Sequence, residues 1–160
     1  MEIRKFQVSD IRPIVSLFYE TVHSVNKKDY TQEQLHAWAS QEEEELRLES
    51  WKDSMSRNIT YVALIDGKIV GFSDMTVNGY VDRLYVDKDF QGQGVASALL
   101  NVLEYEAKNR GLAELEADAS ITAKPFFEHH GFRLVREQSV ERRGIKLVNF
   151  KMKKELSRDV

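Results

Sequence analysis

The chain has 160 residues (18.6 kDa), 42% of them hydrophobic and 31% charged, which suits one domain with a full core and is short for two. With no cysteine it excludes disulfides, thiolate metal sites and a thiol nucleophile. A net charge of −3 leaves no basic footprint for nucleic acid, and the cations Arg142-Arg143 and Lys151, Lys153 and Lys154 form runs too short to supply one.

The opening MEIRKFQVSDIRP carries charges where a secretory signal needs an apolar run, and no segment is apolar enough to span a membrane, so a cytoplasmic protein is expected. Residues 2–8 alternate Ile3, Phe6 and Val8 with charged residues, the pattern of a half-buried strand. Ser9-Asp10 then suits a helix cap, and Ile11, Ile14, Val15, Phe18, Val22 and Val25 recur at threes and fours along one face. Thr31-Gln32-Glu33-Gln34 reads as a capping box opening a short helix with Leu35 and Trp38 inward. The acidic run 42–45 suits the first turn of a third helix carrying Leu48, Trp51 and Met55, with its carboxylates in solvent.

From Ile59 the period becomes that of strands. Strands at 60–65 and 69–77 join through Asp66-Gly67, and Asn78-Gly79 reads as a second two-residue turn into a strand at 80–86. A helix over 92–110 turns Val95, Leu99, Val102 or Leu103, and Ala107 inward and stops at Gly111. A strand at 112–117, a helix at 123–130 ended by Gly131, and strands at 132–140 and 146–152 about Arg143-Gly144 complete the order. The strands before and after the long helix need a crossover, which makes them parallel inside an otherwise antiparallel sheet. The expected class is α+β: a mixed, mostly antiparallel central sheet with flanking helices and one β-α-β crossover.

The loop in that crossover holds the chemistry. Glycines between a strand and a helix N-terminus let the backbone approach a ligand closely, and the first unpaired N–H groups then point at an anion such as a pyrophosphate. A plain tight turn has the same look. No Gly-Lys-Ser/Thr follows the glycines, so this is not a P-loop. A dinucleotide fingerprint could use Ser97 and Glu114 or Glu116, but Gly92 lies well beyond the strand, and that strand issues from two hairpins.

Gln91-Gly92-Gln93-Gly94-Val95-Ala96 resembles the Gln/Arg-x-x-Gly-x-Gly/Ala signature of the GNAT N-acetyltransferases, placed after a strand and opening a helix. Lys124-Pro125-Phe126-Phe127-Glu128-His129-His130-Gly131-Phe132 is similar to a second family feature, a short helix running into Gly-Phe. The order of elements matches as well. The resemblance implies one GNAT-like domain over 1–160 that passes acetyl from acetyl-CoA directly to an amine, without a metal or an acyl-enzyme. Cofactor contacts would come from Leu84, Tyr85 and Val86 along the pantetheine arm, and from the amides of Gln91, Gly92, Gln93, Gly94, Val95, Ala96 and Ser97 around the pyrophosphate. The Leu84 amide would face the thioester oxygen.

Further roles follow from the same resemblance. Ser120 falls where many members carry a cofactor-binding asparagine, although it or Thr122 also suits a helix cap. Lys88 and Lys124 would flank the groove near the 3′-phosphate. Phe127 stands where many members have a tyrosine general acid, and Tyr80 where one branch has a glutamate base. Asp82, two residues on and so on the same strand face, is the first base candidate, and Asp118 the second. Phe18, Thr21, His23, Tyr30 and Trp38 fall in the acceptor wall, where aromatic side chains equally suit a core. His129 and His130 project about 100° apart on a last helical turn, a poor metal pair that reads as cations at a helix C-terminus. The expected partner is a small-molecule amine. A non-catalytic acyl-CoA sensor, a protein lysine or N-terminal acetylator, and a homodimer stay open.

Overall fold

The computed structural model describes residues 1–157, so the last residues of the expected 1–160 domain lie outside the described residues. Seven strands, β1 (Glu2–Lys5), β2 (Ile59–Ile65), β3 (Lys68–Met75), β4 (Tyr80–Val86), β5 (Glu114–Ser120), β6 (Arg133–Arg142) and β7 (Ile145–Glu155), form one sheet. Their order is β1-β2-β3-β4-β5-β7-β6, antiparallel except for β4 with β5. The helices are α1 (Ile11–Ser24), α2 (Gln32–Trp38), α3 (Glu44–Arg57), α4 (Val95–Asn109) and α5 (Lys124–His129). Among the described residues no helix is long and apolar enough to cross a membrane.

The core lies in two layers, one on each sheet face. Leu99, Leu100 and Leu103 of α4 and Phe127 of α5 cover Val70, Met75, Leu115 and Met152. Gly71 permits that approach, because a Cβ there would meet Val95 Cγ1 at 2.8 Å. On the other face α1 to α3 cover Val62, Leu64 and Phe72. Since α1 packs against both α3 and the sheet, Leu17 and Tyr19 are buried along with Ile14, Val15, Phe18 and Val22 of the expected stripe, whose end members Ile11 and Val25 are half-buried.

Three expectations are corrected. Asp10 takes the N-cap position of α1, but its side chain bonds no N–H of that helix. The chain leaves β1 early into a 3-10 turn at Val8–Asp10, and the Asp10 carboxylate accepts from the Gln7 N–H at 2.8 Å and from both terminal nitrogens of Arg4. Asn78-Gly79 is not a two-residue turn: Gly79 alone has positive φ, and its N–H reaches back to the Thr76 carbonyl, so 77–79 form a longer loop and Val77 leaves the strand. The acidic run is not simply solvated, because Arg143 at the β6–β7 turn pairs with Glu42 at 3.1 Å and Glu43 at 3.0 Å. That contact ties the last hairpin to the entry of α3.

Burial alone would raise the Asp10 carboxyl, but the Arg4 bonds and the Gln7 N–H outweigh it and hold it below its ordinary value. Its stabilisation is complete above the unfolded value of about 4 and is lost as pH falls through the lower folded value. Asp10→Ala should therefore cost about 1–3 kcal/mol in urea melts at neutral pH, with the gap to wild type closing in acid.

Candidate active site

Strands β4 and β5 pair only at Tyr80 with Glu116 and Val81 with Ala117, and then diverge. Between them opens a cleft of about 220 Å³ whose walls include Leu84, Val86, Ala119, Ser120 and Phe126. A bulge prepares the divergence: Asp74 faces Arg83 and Met75 faces Val81, which leaves Asp82 as the extra residue. Antiparallel alternation then fixes which peptide groups face the cleft. The Asp87 N–H bonds back to the Val70 carbonyl, so the N–H and C=O of Leu84 and the N–H of Val86 point away from β3, into the gap. They form a sheet edge awaiting an extended ligand.

The Val86 carbonyl differs from the expectation that this whole residue pairs with pantetheine. It already accepts from Thr21 Oγ1 at 3.1 Å and from Gln91 Nε2 at 2.7 Å. Thr21, expected in the acceptor wall, instead fastens α1 to the end of β4. The Gln91 side chain does the same from the loop.

Beyond Gln91, Gly92 and Gly94 both have positive φ, and a Cβ added to either would meet nothing within 4 Å, so the loop presents bare backbone to open space. The first bond of α4 runs from Ala98 N–H to Gly94 C=O, which leaves the N–H groups of Val95, Ala96 and Ser97 without helical partners, and no side chain caps this end. Unpaired donors, a helix dipole and a strand edge around one cleft fit an extended chain ending in a pyrophosphate. The acetyl-CoA assignment therefore agrees with the residues present.

The other cofactor candidates divide. Ser120 Oγ accepts from the Ala123 N–H at 3.0 Å, which closes the turn before α5 rather than capping the helix, whose N-cap is Ala123, and Ser120 still lines the cleft with its own proton available. Thr122 donates instead to Asp29. Lys124 pairs with Glu128 at 3.4 Å and lies over the Phe150 ring. Lys88 is exposed. Phe127 is a cleft wall backed into the core against Phe126 and Phe132, and brings no hydroxyl. The cleft edge of Tyr85 is stacked with Phe72 and set edge-on to Phe18.

A second chamber of about 180 Å³ adjoins the cleft and is lined by Trp38, Tyr80, Tyr85, Asp82 and Asp118. Tyr80 donates to Asp118 Oδ2 and Gln138 donates to Oδ1, each at 2.7 Å, which fixes that carboxylate. Burial and then the Asp118 bond push the Tyr80 phenol up, so it stays a proton donor. Asp82, exposed like Asp118, pairs among the described residues with the Arg83 guanidinium at 3.5 Å. Of the expected wall, Trp38 and Tyr30 line this chamber. Phe18 is buried, and His23 Nε2 is spent on the Ala39 carbonyl at 2.9 Å. The Tyr30 hydroxyl donates to the Val148 carbonyl and accepts from the Ile121 N–H, clamping β7 to the end of β5. Gln138, Val140, Arg142 and Asn149 of the last hairpin were not anticipated; they reach the chamber because β7 inserts between β5 and β6, a pairing that periodicity does not show.

The family description "Acetyltransferase (GNAT) domain" matches residues 26–156. The "Uncharacterized N-acetyltransferase YafP" of Escherichia coli is 37% identical over 153 residues, covering 96% of this chain and 95% of that one. A GCN5-related N-acetyltransferase from Rhodopseudomonas palustris has a crystal structure that superposes with TM-score 0.90 at 30% identity, over 97% of this chain and 95% of that one. The paia N-acetyltransferase from Thermoplasma acidophilum, solved in complex with coenzyme A, shares the fold with TM-score 0.76 at 19% identity, covering 96% and 98% of the two chains. The chain belongs to the GNAT acetyltransferase family, and its α+β fold is the one expected from the sequence.

Proposed function

We propose that this protein works as one cytoplasmic domain that transfers the acetyl group of acetyl-CoA directly to the primary amine of a small molecule. The observation that carries the reading is the divergence of β4 from β5 opposite the uncapped N-terminus of α4, with two carboxylates at its open end. Acetyl-CoA supplies the activated thioester. Leu84 and Val86 N–H groups bind the pantetheine arm, the loop amides from Gln91 to Ser97 bind the pyrophosphate, and the Leu84 N–H sits where oxyanion charge develops. Asp82, whose carboxylate is the less engaged of the two, takes the proton from the acceptor ammonium; Asp118, held by Tyr80 and Gln138, draws that cation into the aromatic chamber.

Thiol release from acetyl-CoA, measured across polyamines, aminoglycosides, amino acids and lysine peptides, tests the reading. Turnover is expected with a small amine, and Asp82→Asn should lower kcat by about a hundredfold or more while the acetyl-CoA Kd stays within twofold. A wild-type pH–rate profile in that variant would remove Asp82 from the mechanism. The phenyl ring of Phe127, which has no proton for a departing thiolate, favours a second reading as a non-catalytic acyl-CoA-binding module. Cofactor binding with no turnover for any amine would select it.

A further inference from the structure

The function just proposed leaves unused a pair that lies behind the anion loop. Ser97, in the first turn of α4, has an N–H with no helical partner, and its Oγ lies 2.9 Å from His130 Nε2. His130 closes α5, its own N–H bonded to the Phe126 and Phe127 carbonyls, and its ring packs 4.4 Å from the ring of Phe126, a wall of the cleft. One half-buried imidazole therefore touches both the helix start that faces the phosphates and the side chain that lines the pantetheine channel.

We propose that His130 is a proton-linked positioning residue for the cofactor's pyrophosphate, acting through the Ser97 hydroxyl. This rests on the acetyl-CoA reading of the loop. A neutral imidazole can accept the Ser97 hydroxyl proton, which turns that proton away from the loop. An imidazolium can only donate at Nε2, so the Ser97 oxygen must accept and its proton is released to donate to an anion.

The surroundings set the direction of the switch. Burial, then His129 on α5 and Lys154 on β7, lower the His130 value below the ordinary one, and Glu104 on α4 opposes them while pairing with Lys154 at 2.7 Å. The free protein thus holds the ring neutral near pH 7. Negative charge at the first turn of α4 would raise the value, and by linkage a ligand that raises it binds more tightly as pH falls. The increase starts at the bound value and is complete below the free one.

The probe is 3′-dephospho-CoA, which keeps the pyrophosphate and lacks the terminal phosphate that titrates near pH 6. Calorimetry on the wild-type protein should show about five- to tenfold tighter binding at about pH 5.5 than at about pH 8, and NMR should show the His130 ring titrating higher in the complex. His130→Gln, which keeps a donor toward Ser97 without a titration, should bind with no such pH slope, and His130→Ala should bind more weakly than His130→Gln at both pH values. Equal slopes for wild type and His130→Gln, or a ring that titrates identically free and bound, would overturn the proposal while leaving the loop assignment intact. Failure of the wild type to bind at either pH would overturn both.

Discussion

Gly94→Trp is expected to raise the Kd for acetyl-CoA by at least about a hundredfold while the protein stays folded. Gly94 caps α4 with φ of 81° and ψ of 8°, a left-handed conformation that costs an L side chain about 1–2 kcal/mol. The space beyond its missing Cβ is open, so an indole would not clash with the protein and would stand where the loop amides face a ligand. Losing two or three charge-assisted hydrogen bonds, at about 1.5–3 kcal/mol each, accounts for the size of the effect. Gly94→Ala separates the two contributions, because it carries the strain with little bulk: its thermal midpoint should fall about as far as that of the tryptophan variant, with a much smaller change in Kd. Calorimetry with acetyl-CoA on both variants decides the matter. A Gly94→Trp protein that binds like wild type would remove the loop from the cofactor site.

That loop was legible because its information is local. Two glycines, a strand before them and a helix after them stand within a dozen residues, and the backbone geometry follows from residue type. The hairpin turns at Asp66-Gly67 and Arg143-Gly144 were legible for the same reason, and both residues of each have positive φ. The second chamber was not. Asp118 owes its orientation to Gln138, twenty residues on and brought there by the insertion of β7 between β5 and β6. Thr21 reaches Val86 across 65 positions, and His130 reaches Ser97 across 33. Such contacts depend on strand order and on which face each helix covers, and a period of 2 or 3.6 carries neither. Aromatic residues were the most ambiguous, since Phe18 and Trp38 have the same spacing signal on their helices and only the fold sends one into the core and the other to a cleft wall.

Arg83→Met should destabilise the protein by about 3–5 kcal/mol at neutral pH, because it strands a buried carboxylate. Asp74 is fully buried in β3, and its Oδ2 receives Arg83 Nη1 at 2.5 Å and Asn58 Nδ2 at 2.9 Å, while Oδ1 has no partner among the described residues. Arg83 is held in turn by the Ser54 hydroxyl and lies 4.6 Å from the centre of the Trp51 ring. Burial holds the Asp74 carboxyl above its ordinary value even with the guanidinium present, and removing that cation must raise it further. A raised acid pKa in the folded state means a penalty that is full above the folded value and gone below the unfolded one near 4. The variant should therefore gain stability relative to wild type as pH falls, as Asp10→Ala does, but because the variant is relieved of a penalty rather than because wild type loses a stabilising charge. Urea melts at several pH values test the sign, and Asp74→Leu combined with Arg83→Met should recover most of the loss. The pair also sets the site, because Arg83 follows the bulge at Asp82 and precedes Leu84. Loosening it frees the strand edge that carries the Leu84 N–H, so at a temperature where Arg83→Met is still folded its kcat should fall more than its affinity for coenzyme A. A variant as stable as wild type and equally active would show that the bulge holds without its buried ion pair.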